Sequence, residues 1–155
     1  MGLKGAGINL IATLPDVNLA DLLREVEEDR DLTHVPLCRE EEGIGICAGA
    51  YLVGKKCAAI MQNGGFFNSN NAIVSTLLQY QIPLLLLIYY AGDIGDRTFG
   101  TTGSMTEPVL RPGTDQTRAS VNRRRKTSGG ASGNQRSARP ACGAQVVVIR
   151  TELLS

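Results

Sequence analysis

Apolar positions along the first 110 residues alternate between two periods. Residues 7–13 (GINLIAT) form a short apolar run with β-branched members, the pattern of a buried strand. Pro15 and Asp16 end it and Asn18 offers a helix N-cap. Leu19, Leu22, Leu23 and Val26 then follow at the spacing of one helix face, backed by a charged outer face of Asp21, Glu25, Glu28 and Asp29. Residues 33–38 (THVPLC) read as a strand whose Pro36 suits a sheet edge. A helix is expected from Glu40-Glu41-Glu42 through Val53. Its Gly43, Gly45, Ala48 and Gly49 leave one side almost bare, so that a backbone or a ligand can come close. Residues 57–62 (CAAIMQ) predict the next strand, Asn63-Gly64-Gly65 a turn, and residues 72–80 a mostly apolar helix. Residues 83–90 (PLLLLIYY) form a continuous apolar strand, as expected where both sheet faces are covered. Repeated β-α units of this kind predict an α/β fold: a three-layer sandwich with a mostly parallel sheet between helices.

Residues 111–142 break the pattern. Val121 is their only branched aliphatic residue, and Arg, Ser, Gly and Pro dominate. Such a stretch cannot bury enough apolar surface to offset the entropy of ordering it, so disorder is expected. Residues 145–150 (QVVVIR) resume as a strand, and the chain as a whole, 1–155, reads as one domain. The overall net charge of +1 conceals this division. Residues 1–110 carry seven Lys/Arg against thirteen Asp/Glu, whereas 111–142 carry eight basic residues and one acidic. Two explanations fit. One is a natural basic insertion that meets a phosphate or nucleic acid. The other, which the composition favours, is a compensated shift of reading frame in the coding DNA.

Several functional classes are disfavoured. There is no Trp and aromatics are 5%, which argues against a base-stacking surface for nucleic acid. The longest apolar run, 82–91, is short of the ~20 residues a membrane helix needs. The start of the chain has no signal-peptide pattern. Four Cys without paired spacing suit reduced thiols in a cytoplasmic protein. Cys38, Cys47 and Cys57 match no zinc spacing, and a single His, His34, does not make a convincing nucleophilic triad. No metal site is expected.

The candidate chemistry lies in three places. Glu40-Glu41-Glu42 is either a solvated helix start favoured by the helix dipole, or a cluster with one carboxylate turned inward. The following Gly43-Ile44-Gly45-Ile46-Cys47-Ala48-Gly49 resembles a dinucleotide-binding turn, but its last Gly is one residue late and three carboxylates occupy the phosphate position. Residues 62–68 (QNGGFFN) follow a strand, where α/β proteins bind ligands, although Asn-Gly is also plain turn chemistry. Asp16 holds the equivalent place after the first strand. Gly92-Asp93-Ile94-Gly95-Asp96 is an acidic loop that reads equally as a turn or a metal ligand set.

Taken together, residues 39–56 (REEEGIGICAGAYLVGKK), 61–73 (MQNGGFFNSNNAI), the Leu14-Pro15-Asp16 turn and the IPLLLLI strand resemble the thiamine-diphosphate-dependent decarboxylases. Within them the pattern is most similar to the alpha subunits of sulfopyruvate decarboxylase, with phosphonopyruvate decarboxylase a close relative. The resemblance covers about residues 3–110 and the last ten. It implies the thiamine-diphosphate-binding fold of the pyrimidine domain. It implies Glu40, or failing that Glu41, as the carboxylate on the aminopyrimidine ring nitrogen. It further implies that Gln62, Asn63, Gly64 and Asn68 bind cofactor and that Asp16 faces substrate as a second catalytic residue. The implied reaction is decarboxylation of a 2-oxo acid, 3-sulfopyruvate to sulfoacetaldehyde and CO2, as in coenzyme M biosynthesis; phosphonopyruvate is the alternative substrate.

The chain also departs from the family. Gly64 and Phe67 stand where the family loop has Ser and Gly, so Phe67 is expected to crowd or reshape the pocket. Gly92-Asp93-Ile94 lacks the second Gly of the family's Gly-Asp-Gly diphosphate motif. The resemblance therefore implies a hetero-oligomer in which a beta subunit holds the diphosphate and Mg2+, with no nucleic-acid or membrane partner. The competing reading is a catalytically inactive remnant.

Overall fold

A computed structural model describes residues 2–93, 96–110, 118–121 and 145–149. In chain order the elements are α1 (Gly2–Gly5), β1 (Leu10–Thr13), a 3-10 turn (Val17–Leu19), α2 (Ala20–Glu28), β2 (Thr33–Pro36), α3 (Glu40–Leu52) and β3 (Cys57–Gln62). They continue with α4 (Asn63–Asn68), α5 (Asn70–Ala72), a π-helical stretch (Ile73–Leu78), β4 (Leu85–Tyr89), α6 (Gly100–Leu110), β5 (Arg118–Val121) and β6 (Gln145–Ile149). Among the described residues the strands form one parallel sheet in the order β2-β1-β3-β4-β6-β5. The expected α/β class is observed.

Strand residues alternate between two cores because successive side chains point to opposite faces. Leu10, Ala12, Ala59, Met61, Leu86 and Ile88 pack on one face with Ile44 and Cys47 of α3, Phe66 of α4, and Ile73 and Leu77 of the π-helical stretch. Ile11, Ala58, Ile60, Leu87 and Tyr89 pack on the other face with Leu19 and Val26, and Leu22 and Leu23 join them. Helices thus cover both faces. Pro36 lies in β2, the edge strand beside β1, where a missing N–H costs no inter-strand bond.

Several local expectations are corrected. β1 begins at Leu10 because Gly7 turns with φ +81°. Asn18 is not an N-cap: it lies in the 3-10 turn, which Asp16 caps by accepting from the Asn18 amide at 2.8 Å, and the N-cap of α2 is Leu19. Asn63-Gly64-Gly65 is the first part of α4 and not a free turn. The 72–80 helix begins at Asn70 and is π-helical through Leu78, with Ile82 N donating to Leu77 O at 2.8 Å. α6 has no counterpart in the periodicity. Most of residues 111–142, expected to be disordered, lie outside the described residues; within them Arg118–Val121 pair with β6.

α6 is held by backbone contact. Gly92 has φ +82°, and a side chain there would overlap the Phe99 carbonyl; one on Gly103 would overlap the Gly92 carbonyl. The Tyr90 hydroxyl donates to Gly103 O at 2.7 Å. Asn63, fully buried, completes the tie: its Nδ2 donates to Ala91 O at 2.8 Å and meets Thr106 Oγ1 at 2.7 Å. Its Oδ1 accepts from Gly64 N at 3.0 Å.

Replacing Asn63 with Ala strands buried polar groups on three segments at once. We expect Asn63→Ala to lose about 1–3 kcal/mol of stability, read as a lower urea midpoint. An unchanged midpoint would show that the tie contributes nothing.

Candidate functional site

In an open parallel sheet, ligands bind beyond the carboxyl ends of the strands, at the point where the strand order reverses. Here β1 lies between β2 and β3, so the reversal falls between β1 and β3. Asp16 follows β1 and Gln62 ends β3. Their side chains meet across this crevice, Gln62 Nε2 donating to Asp16 Oδ2 at 2.8 Å. Asp16 Oδ1 also accepts from Asn18 N, so both carboxylate oxygens are engaged. That bond directs the Gln62 Oε1 to the Gly64 side, where a Cβ on Gly64 would sit 3.3 Å from it. Asp16 therefore orients Gln62, with both of its carboxylate oxygens engaged within the chain.

The three glutamates at the start of α3 have three different environments. Glu42 Oε2 accepts from the Arg39 amide at 3.2 Å and closes the helix start. Glu41 pairs with the exposed Arg39 guanidinium at 3.0 Å, a surface contact of small energetic weight. Glu40, half-buried, turns toward α4, where its Cγ, Cδ and Oε1 lie against Gly65. Among the described residues its carboxylate has no hydrogen-bond or ion-pair partner. Glu40, Gln62, Gly64 and Gly65 thus come together at the carboxyl edge, with Asp16 behind Gln62.

Other expected residues lie elsewhere. The Asn63 amide nitrogen is buried in the tie to Ala91 and Thr106, where it acts as a strut between segments. Asn68 is exposed at the far end of α4. Phe67 is half-buried against the core, its ring 6.1 Å from that of Phe66. The bare face expected on α3 is divided. Gly43 is buried, where a Cβ would fall 2.6 Å from Leu37 Cδ1, whereas Gly45 and Gly49 face open space. A cleft of about 570 Å³ beside Gly49, lined by Leu52, Thr76, Tyr80 and Ile82, is a separate feature. Gly65 is the residue that sequence reasoning did not single out. Its only signal was its place inside the loop motif.

The remaining polar candidates satisfy local backbone or strand contacts. His34 Nε2 lies 2.7 Å from Thr13 Oγ1, between β2 and β1. Asp96 accepts from the amides of Gly92 and Thr98, and these bonds, Gly92 first, hold its carboxyl below the usual range. Ile94 and Gly95 of the acidic loop lie outside the described residues. Among the described residues no group of three His, Cys, Asp or Glu side chains is placed to hold a metal, and no helix is long and apolar enough to cross a membrane.

No family model matches the chain. It is 50% identical over 95 residues to the sulfopyruvate decarboxylase subunit alpha of Methanocaldococcus jannaschii, covering 61% of this chain and 56% of that protein. It is 45% identical over 92 residues to the same subunit of Methanococcus maripaludis, covering 59% and 55%. A more distant relative is a phosphonopyruvate decarboxylase of Streptomyces hygroscopicus, 31% identical over 96 residues, 62% of this chain and 24% of that one. The chain therefore has sulfopyruvate decarboxylase alpha subunits as homologues and spans little more than half their length.

Cys47 and Cys57 face each other between α3 and β3 and are buried, while Cys38 is exposed. Burial, and then the neighbouring Cys57, push the Cys47 thiol up to about 12; burial also raises Cys57. A thiol is nucleophilic only as thiolate, so at pH 8 both stay protonated. Peptide mapping after brief iodoacetamide treatment of the native chain should find Cys38 labelled, with Cys47 and Cys57 labelled only after unfolding. Rapid native labelling of Cys47 would contradict its burial.

Proposed function

We propose that this chain is the pyrimidine-binding half of a thiamine-diphosphate-dependent 2-oxo-acid decarboxylase whose substrate is 3-sulfopyruvate. The similarity to sulfopyruvate decarboxylase alpha subunits supports the substrate class. The observation that carries the assignment to the site is Glu40: a half-buried carboxylate, without a partner among the described residues, at the carboxyl edge beside the sheet reversal.

The residues fit the cofactor's chemistry. A carboxyl group in that position can share a proton with a ring nitrogen, which is what an aminopyrimidine asks of its site. Glu40 holds that proton at Oε1 or Oε2. Gln62, its amide fixed by Asp16, offers Oε1 as an acceptor to a polar group in the same crevice. The absence of a Cβ at Gly64 leaves the backbone open to close approach. When bound, the cofactor supplies the electron sink for departing CO2. The diphosphate and its Mg2+ fall to a second chain in this reading, consistent with the "subunit alpha" names of the relatives. The active site then forms between the two chains, in the cytoplasm.

The test is co-expression with a chain bearing a Gly-Asp-Gly diphosphate motif, followed by assay of CO2 release from 3-sulfopyruvate and from phosphonopyruvate. We expect turnover of sulfopyruvate to exceed that of phosphonopyruvate. Glu40→Gln should lower kcat by roughly 10²–10⁴-fold, the range for loss of a proton-transfer group, with no change in thermal midpoint. Wild-type turnover by Glu40→Gln would remove Glu40 from the role. An assembled complex that binds thiamine diphosphate yet decarboxylates neither acid would favour an inactive remnant.

A further inference from the structure

Gly65 occupies the third position of α4, where its carbonyl accepts from Ser69 N at 3.0 Å and from Ser69 Oγ at 2.9 Å. Among the described residues the positive-φ glycines are Gly7, Gly54 and Gly92, and Gly65 is not one of them. No turn or left-handed conformation calls for glycine here. Helix propensity disfavours it, because Ala loses less conformational freedom at an interior helical position. What a Cβ at this position meets is Glu40: the nearest atoms are its Oε1, Cδ and Cγ. The neighbouring Gly64 has no such conflict, since a Cβ there would come no nearer than 3.3 Å to the Gln62 amide oxygen.

From this we infer that Gly65 is a positioning residue for Glu40, an absent side chain in α4 that lets the Glu40 carboxylate lie flat on the helix at the carboxyl edge. The inference rests on the reading of Glu40 given above. Glu40 is half-buried, and a methyl group at residue 65 would meet its Cγ, Cδ and Oε1 together, so the side chain must take another rotamer and the carboxylate moves with it. Glycine here gives up helix stability for carboxylate placement, a local conflict of the kind found at functional sites.

The experiment compares wild type with G65A, and with E40Q for resonance assignment, in the full chain and in the assembled complex. In the free chain, the thermal midpoint of G65A stays at or above wild type. The 13C carboxyl resonance of Glu40, assigned by its loss in E40Q, shifts in G65A while those of Glu41 and Glu42 do not. In the complex, G65A weakens thiamine diphosphate binding by about tenfold or more in calorimetry. Its kcat falls by about 10²-fold, as a displacement of about 1 Å does elsewhere.

Unchanged cofactor binding and an unmoved Glu40 resonance in G65A would overturn the inference. If G65A fails to fold, the E40A/G65A double variant decides: recovery of folding places the overlap on Glu40, and persistent unfolding overturns the proposal. A wild-type complex without cofactor binding would sink the decarboxylase reading, while the resonance shift in the free chain would still report whether Gly65 seats Glu40.

Discussion

The carboxyl edge of the sheet depends on one buried amide. Asn63 is inaccessible to solvent, sits where β3 passes into α4, and joins that junction to Ala91 beyond β4 and to Thr106 in α6. A buried polar group is tolerated only when its hydrogen bonds are made, and each partner here comes from a different segment. The direction in which α4 leaves the sheet is therefore set by long-range contacts. Once α4 is placed, Gly65 stands opposite α3, and the side chain at the start of α3 that faces it is Glu40. The Gly92–Gly103 backbone contact secures the other side of the same junction.

The acidic run at the start of α3 shows how one composition serves several purposes. The helix dipole favours carboxylates there in general. Glu42 satisfies an orphan amide, Glu41 meets an exposed guanidinium, and Glu40 lies against Gly65 with no partner among the described residues. Asp16 and Gln62 divide the opposite side of the crevice in a similar way. The carboxylate is occupied by an amide hydrogen bond and a helix cap, and the amide oxygen remains to face Gly64. In the proposed function, a polar ring in this crevice would meet one acid without a partner among the described residues and one oriented acceptor. That arrangement suits proton sharing better than metal binding, which needs several converging hard donors.

The sheet was legible from sequence because its determinants are local and periodic. The CAAIMQ and PLLLLIYY runs emerged as strands at or near their expected limits, and the Leu19-to-Val26 spacing emerged as the inward face of the 3-10 turn and α2, with Leu19 and Val26 buried and Leu22 and Leu23 partly so. Pro36 announced an edge strand for the simple reason that it cannot donate. Where side-chain chemistry and backbone propensity pull apart, the reading failed. Asn-Gly-Gly reads as a turn in isolation, yet Asn63 is held inside by partners about 30 to 40 residues away and the glycines continue as helix. α6, with a Pro and several small polar residues, has no strong apolar stripe, and docking through Gly103 and Thr106 holds it in place.

The sequence by itself determined the α/β class, the placement of the polar motifs after strands, and the Glu40-Glu41-Glu42 run as a candidate acidic cluster, because alternation, chain reversal and motif spacing are properties of neighbouring residues. Only the tertiary structure decided which of three adjacent carboxylates faces inward, that Asp16 acts on Gln62, that Asn63 is a strut, and that Gly65 makes room for Glu40. Each of these depends on the approach of two segments distant in sequence. The orientation of a side chain at such a meeting is set by packing and hydrogen bonds that no local pattern encodes.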